Sequence, residues 1–165
     1  MESINEVAGM FKKCERKKQV LKPYNQQTFG ERLKSVVLSR YTSIDKCKQL
    51  TGITSLDAYI SGKSAVGYYV MQDLTNELKV APSYLFGLSD KNNYNQKKAG
   101  YVRIDWIFQH LTTLYPKSTI AYDIGSYNKT INDYISGKTV PTHTKMYNLA
   151  KSYCLDIDCL YGYFY

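Results

Sequence analysis

The chain contains the pentapeptide Tyr-Ile-Ser-Gly-Lys twice, at residues 59–63 and 134–138. The two copies lie 75 residues apart, and a repeat of this kind indicates one structural unit used twice. With only two copies and so long a period, the repeat favours two small domains in tandem over a solenoid. The same spacing relates four further pairs, namely Met71 and Met146, Leu74 and Leu149, Leu85 and Leu160, and Gly87 and Gly162.

Helical periodicity predicts five short helices in each unit, and no stretch shows convincing strand alternation. In the first unit, residues 28–89, the predicted helices are Phe29–Leu38, Ser43–Leu50, Thr54–Ile60, Gly67–Leu78 and Pro82–Leu88. In the second unit, residues 101–165, they are Asp105–Leu114, Ser118–Gly125, Tyr127–Ile135, Thr142–Cys154 and Ile157–Tyr161. Residues 90–100 are polar and aperiodic, which is typical of a linker. The predicted fold class is therefore all-α.

Residues 1–27 precede both units and are predicted to form an amphipathic helix and arm. The helix is expected over Glu2–Leu21, because apolar residues recur along one side and lysines occupy the other. Pro23 ends the pattern. The apolar stripe consists of Ile4, Val7, Phe11 and Cys14.

The charge of the chain favours an anionic partner. It has 22 lysines and arginines against 14 acidic residues, which gives a net charge of +8 and a pI of about 9.2, and such a surplus suits nucleic acid or a membrane surface. No apolar run is long enough to span a membrane, and the start lacks the apolar core of a signal peptide. We therefore expect a cytoplasmic protein with no membrane partner.

The sequence offers little chemistry for catalysis or metal binding. Four cysteines form no C-x-x-C pair, and only His110 and His143 could assist them, whereas zinc needs a tighter ligand set. We expect reduced thiols in apolar positions. No phosphate-cradling glycine loop or paired-carboxylate motif is present. A nucleophilic pairing of Cys154 with His143 would have no third group to orient it. The prediction is no enzyme, no cofactor and no metal.

The second unit carries the sharpest local pattern, which is that of two helices joined by a tight turn. Ala121 is small, as a close helix crossing requires, and Gly125 supplies the left-handed backbone that the turn needs. Ile131 and Tyr134 follow at positions that place them in the apolar interior. The outer face of the following helix then consists of Asn128, Lys129, Asn132 and Asp133.

These residues resemble the lambda-repressor-like helix-turn-helix family of Cro-type or XRE-type DNA-binding domains. In that family Ala-x-x-x-Gly is followed by Ile or Val, by Tyr-x-Ser-Gly-Lys, by a helix and by a terminal Leu-x-Gly. Ala121, Gly125, Ile131, residues 134–138 and residues 160–162 fit this pattern. The first unit fits in its latter half, at Leu56, residues 59–63 and residues 85–87. The resemblance implies two tandem five-helix domains behind the N-terminal helix.

The resemblance also implies a function, a sequence-specific double-stranded DNA-binding transcriptional regulator, repressor-like and typical of a phage or mobile element. The second helix of each pair would enter the major groove, where base pairs present distinct donors and acceptors. The implied base contacts are Asn128, Lys129, Thr130, Asn132, Thr54 and Ser55. The implied phosphate contacts are Lys117, Ser118, Lys138, Ser43 and Lys63.

The first unit departs from the family pattern. Cys47 takes the place of the small residue, Lys46 stands where an apolar residue is usual, and the turn before Leu56 is one residue shorter than in the second unit. Asp57 on the outer face would be repelled by phosphate unless it accepts from a cytosine amine. Ser43 is also a good helix N-cap.

Two other functional readings stay open. The chain could form a homodimer in which one unit binds DNA and the other supplies the interface. It could instead be a protein-interaction module, an antirepressor, antitoxin or inhibitor, with a regulatory protein partner and little DNA binding of its own.

Overall fold

The structure is a computed structural model that describes residues 21–95 and 102–163, together with residues 9, 12 and 15. The described residues form ten helices and no strand longer than an isolated bridge, so the prediction of an all-α fold is confirmed. The helices are α1 Gln26–Arg40, α2 Ile44–Thr51, α3 Leu56–Ser61, α4 Tyr68–Leu78, α5 Pro82–Leu85, α6 Ile104–Leu114, α7 Lys117–Ile124, α8 Asn128–Ile135, α9 His143–Ser152 and α10 Ile157–Leu160.

Local signals set the ends of these helices. The side chains of Asn25, Ser43 and Asp156 accept backbone N–H bonds at the starts of α1, α2 and α10, which satisfies donors that have no partner inside a helix. Helices α2 and α7 end at Gly52 and Gly125, whose φ angles of 75° and 70° are left-handed. Glycine adopts this conformation without the steric cost that a side chain would add.

Within each unit the helices pack around a small apolar core. In the first unit α1 contacts α2, α3, α4 and α5, and in the second unit α8 packs on α6 and α7. The core side chains are fully buried, among them Phe29, Leu33 and Leu56 in the first unit and Phe108 and Ile131 in the second. Burial of each such side chain contributes roughly 1.5–3 kcal/mol, so a few of them hold each short helix in place.

The two units contact each other through reciprocal bonds. The Tyr68 N–H donates to the Pro141 carbonyl over 3.0 Å, and the His143 N–H donates to the Val66 carbonyl over 2.7 Å. Each of these residues lies 75 positions from its counterpart in the other bond. Between the two bonds an isolated antiparallel bridge joins Gly67 to residue 142, again 75 positions away. Such an exchange between equivalent positions is the pattern of an isologous contact about an approximate two-fold axis.

Further contacts across this axis make the two units one packed body. Asp158 accepts hydrogen bonds from the backbone and side chain of Ser83 at 2.6 and 2.7 Å, and the Tyr68 hydroxyl donates to the Leu160 carbonyl at 2.6 Å. The buried apolar side chains of both units belong to one continuous cluster. The rings of Tyr68 and Tyr161 stack across the contact with centroids 5.1 Å apart.

The arm and the linker are only partly described. Gly9 and Lys12 are helical, and Glu15 forms an isolated bridge with Leu155. Glu15 and Leu21 are not helical, so the predicted Glu2–Leu21 helix is wrong at these two positions, where pairing with Leu155 and the approach to Pro23 take the place of helix. The rest of that prediction lies outside the described residues. In the linker, Asn92 bonds to the backbone of the α4–α5 loop. Residues 96–100, which hold the lysine pair of the linker, are likewise outside the described part.

Two bulk expectations can be compared with the structure. Among the described residues, no helix combines the length and the apolar character that crossing a bilayer requires. Cys47 and Cys154 carry free thiols, whereas Cys159 is disulfide-bonded. The expectation of reduced thiols is therefore wrong for Cys159, because cysteine spacing along the chain does not reveal proximity in the fold.

Candidate nucleic-acid interface

Helix α8 has one buried and one exposed face. Ile131 and Tyr134 are buried, whereas Asn128, Lys129 and Asn132 are exposed. An eight-residue helix with this division presents a row of amide and ammonium groups to solvent while its apolar side fixes its position. These three exposed residues are among the predicted base contacts, and none of the ten helices in the described part of the chain covers them.

Contacts with α6 on its buried side hold α8 in one position. The rings of Phe108 and Tyr134 lie with centroids 4.9 Å apart, and the Gln109 side chain donates to the Ile135 carbonyl at the end of the helix over 3.4 Å. Burial raises the pKa of Tyr134 above its ordinary value, so its hydroxyl stays neutral at physiological pH. Thr130, another predicted base contact, is half-buried.

The turn before α8 is secured by backbone and side-chain bonds. Gly125 is exposed, and a Cβ built on it would meet nothing within 4 Å. The Ser126 N–H donates to the Ala121 carbonyl over 2.7 Å, and the Lys145 ammonium of α9 donates to the Gly125 carbonyl over 2.7 Å. Glycine is therefore required here by the left-handed backbone angle and not by a lack of space for a side chain.

The structure brings two predicted contacts together at the start of α7. The Lys117 ammonium donates to the Asn132 side-chain oxygen over 2.7 Å, which joins a predicted phosphate contact to a predicted base contact. The bond orients the Asn132 amide and leaves its NH₂ group as donor. Ser118 is exposed one residue further on. Pro116 is the N-cap of α7 and makes no side-chain capping bond. The first N–H groups of this helix are therefore not capped by the Pro116 side chain.

The acidic residues of the second unit are less exposed than its lysines, since Asp158 is buried and the other four, including Asp133 on α8, are half-buried. Four of its five lysines are exposed, but none of its five acidic residues is. Asp105 pairs with Arg103, Asp123 accepts from the Tyr153 hydroxyl, Asp156 caps α10, and Asp158 is bonded to Ser83. The net charge of zero over residues 104–165 thus divides unequally, because the lysines are more exposed than the acidic residues. The exposed lysines are Lys117, Lys129, Lys138 and Lys151.

The corresponding helix of the first unit is shorter. Helix α3 has six residues, and the expected helix over Thr54–Ile60 is corrected to Leu56–Ser61. Thr54 and Ser55 are exposed but lie in the turn before the helix, and their contacts with bases stay predictions. Lys63 is exposed beyond α3. Ser43 caps α2 by accepting from the Lys46 N–H over 3.1 Å, which is the structural role anticipated for it.

A charged pair replaces the close helix crossing in the first unit. The Gly52 N–H bonds to the Lys48 carbonyl, as the Gly125 N–H bonds to the Ala121 carbonyl. Counted from these turns, Lys48 and not Cys47 stands in the place of the small residue. The Lys48 ammonium reaches Asp57 on α3 at 2.6 Å. Hydrogen bonding to Asp57 raises the pKa of Lys48.

Acidic groups of the first unit remain at the surface. All five of them are exposed, in contrast to the second unit. Asp45 lies in the first turn of α2, at the position that Ser118 holds in α7. Asp57 lies at the position of Asn132, 75 residues before it. The remaining three are Glu31, Asp73 and Glu77.

The groups that could serve catalysis are committed elsewhere. His143 is buried, its Nδ1 accepts from the Val66 N–H over 2.9 Å, and its Nε2 lies 2.7 Å from the Tyr24 hydroxyl. Both ring nitrogens are thereby occupied, so His143 cannot also serve Cys154. In the described residues, no group of three or more His, Cys, Asp or Glu side chains could hold a metal ion.

A cavity of about 900 Å³ lies between the units and is lined by Arg32, Asp156 and Asp158. Arg32 donates to two backbone carbonyls, and the two aspartates hold α10 and Ser83. These three charged side chains are therefore engaged in hydrogen bonds within the fold.

Sequence reasoning missed three residues of the α7–α8 surface. Lys145 comes from α9 and bonds to the turn, which periodicity along α9 does not reveal. Tyr122 and Tyr127 flank the turn and are 86% and 80% exposed. The signal that could have found them is their position on either side of the turn glycine Gly125.

No protein-family model, curated protein or solved structure matches the chain. The resemblance to the lambda-repressor-like family therefore stays a prediction that rests on the residues named above.

Proposed function

We propose that the chain is a sequence-specific double-stranded DNA-binding regulator of the lambda-repressor-like helix-turn-helix kind, and that α8 is its recognition helix. The observation that carries the proposal is the exposed polar face of α8, in a unit whose five acidic residues all lie below full exposure. In the major groove, Asn128 and Asn132 would present amides to adenine, and Lys129 would donate to guanine or to a phosphate.

The surroundings of α8 supply phosphate contacts in this proposal. Lys117 and Ser118 stand at the start of α7, where helix N–H groups favour an anion. Lys138 follows α8 and is exposed. Contacts of this kind would fix the orientation of the protein on the duplex, while α8 reads the sequence.

A selection of bound sequences from random duplex DNA tests the proposal. We expect a short enriched motif, and affinity for it should fall linearly as the logarithm of salt concentration rises. Three to four phosphate contacts correspond to a slope of about −3 to −4. No enrichment, together with binding that is insensitive to salt, would refute DNA recognition.

The alternative is a protein-interaction module, and the five exposed acidic residues of the first unit favour it. Such a surface repels phosphate and suits a basic protein partner. The salt dependence of duplex binding separates the two functions, because a module without phosphate contacts releases no counterions from DNA. In neither case do we expect catalysis.

A further inference from the structure

We propose that a single chain covers two successive turns of one duplex but specifies bases in only one of them. This inference rests on the proposed function of α8. The approximate two-fold relation between the units gives it a geometric basis. Rotation about a two-fold axis does not change a direction that is parallel to the axis. If a face of α8 points along the axis, the equivalent face of α3 therefore points the same way, on the same side of the molecule.

The hydrogen bonds limit how far apart the two helices can be. The Ser64 N–H donates to the Ala58 carbonyl of α3, and the Thr139 N–H donates to the Asp133 carbonyl of α8, at 3.2 and 3.3 Å. Three residues then lead from each donor to the bridge between the units. Each three-residue stretch spans at most about 11 Å. Each hydrogen-bonded pair adds about 6 Å, and the bridge adds about 5 Å.

Ala58 of α3 therefore lies at most about 40 Å from Asp133 of α8. One turn of DNA separates equivalent major-groove positions by about 34–36 Å. This upper bound admits a spacing of one turn between the helices and excludes a spacing of two turns.

The surface that joins the two helices suits a phosphate backbone. It consists of residues 61–67 and 136–142, which contain Lys63 and Lys138 and no acidic residue. Both lysines are exposed, and neither has an ion pair within the described part of the chain. Lys63 and Lys138 occupy equivalent positions, so the two units offer one ammonium group each on either side of the axis.

The first unit nevertheless lacks the groups that read bases. At the position of Asn132 it has Asp57, whose carboxylate is held by Lys48 at 2.6 Å. At the position of Lys129 it has Thr54, which is in the turn and not on α3. We therefore assign a phosphate contact to Lys63 and no base contact to α3.

Footprinting of the full-length chain on a duplex selected from random sequence tests the assignment. We expect one chain per duplex by native mass spectrometry and an enriched motif confined to a single half-site. Hydroxyl-radical protection should extend about one helical turn beyond that motif on the same face. A palindromic motif bound by two chains, or protection restricted to the motif, would overturn the assignment.

The variant Lys63→Ala provides a second, independent readout. Loss of one phosphate contact should weaken binding about eightfold at 0.1 M salt and reduce the salt slope by about 1. The effect should vanish on a duplex trimmed to the motif, and the enriched motif should not change.

Lys91→Ala is the matched control. Lys91 is exposed and lies beside Asn92, which bonds to Lys79 at the far end of α4, about 16 Å along that helix from the bridge. Equal affinities of the two variants for the long duplex would contradict the contact. If the unaltered chain enriches no sequence at all, the proposed function itself is wrong. If it enriches a motif but protects only that motif, the proposed function stands and only the present inference is wrong.

Discussion

The two units share a repeat and a mode of packing, yet they differ in what they expose. Each has a left-handed glycine after eight helical residues, and each turns into a second helix that ends at the same pentapeptide. The second unit withdraws all five acidic groups from full exposure, whereas the first leaves all five exposed. The two units thus share a scaffold and differ in their surfaces, and in the proposed function it is this surface chemistry, not the fold, that assigns base recognition to the second unit.

The largest expected effect comes from α8. Asn128→Ala combined with Lys129→Ala should abolish specific binding, because each lost base contact costs roughly 1–3 kcal/mol. The double variant should melt like the unaltered protein, since both side chains are exposed. Thr54→Ala combined with Ser55→Ala is the first-unit counterpart and should leave specific affinity nearly unchanged. The comparison is made by equilibrium titration on the selected duplex, and equal losses would show that both units read bases.

The next effect concerns the contact between the units. His143 lies in this contact, at the position in the second unit that corresponds to Tyr68 in the first. Burial lowers the pKa of His143 to about 4, while in the unfolded chain it is about 6.5. Between these values the unfolded state binds the proton and the folded state does not. Stability is therefore complete above pH 6.5 and falls as the pH is lowered toward 4, by about 3 kcal/mol.

Urea unfolding at several pH values measures this loss. His143→Gln should be less stable near neutral pH but should show a flatter profile between pH 6.5 and 4. His110→Gln is the control and should keep most of the slope, because His110 is only half-buried whereas His143 is fully buried. A full slope in the His143 variant would mean that another group is responsible.

A smaller effect is expected from the two turn glycines, which form a matched pair. Gly52 and Gly125 have similar left-handed φ angles, and nothing lies within 4 Å of a Cβ at either one. Substitution by valine should cost each unit roughly 1–3 kcal/mol of backbone strain. Only Gly125→Val should reduce specific DNA affinity beyond the loss of folded protein, as judged from melting curves and binding isotherms measured together.

The smallest effect is predicted for the charged pair of the first unit. Asp57 is more than half exposed in its contact with Lys48, and exposed pairs of this kind add little stability. Asp57→Asn should leave the melting temperature nearly unchanged and raise duplex affinity a few-fold, because one negative charge near the backbone is removed. Asp73→Asn, outside α2 and α3, is the comparison, and an equal gain there would indicate a general charge effect.

The helices were predictable because their signals are local. Each of the ten overlaps the segment in which periodicity predicted it, although several ends differ by two or three residues. Gly125 and Ser43 act through their own backbone or nearest neighbours. The contact between the units was not predictable, since it depends on hydrogen bonds between residues 75 positions apart. The role of Lys48 was also missed, because the alignment of α2 with α7 follows from their turns and not from residue type. The exposure of the acidic groups depends on which residues they contact in the fold, and a count of charges along the sequence does not give these contacts.

The central claim is that α8 of the second unit lies against base edges. Ultraviolet crosslinking to a selected duplex that carries 5-iodouracil in place of thymine tests it without altering the protein. Tyr127 precedes α8 and is largely exposed, so we predict crosslinks to the peptide that contains residues 127–132 and none to residues 53–58. Crosslinks that avoid residues 127–132, on a duplex that is bound specifically, would contradict the assignment of the recognition helix.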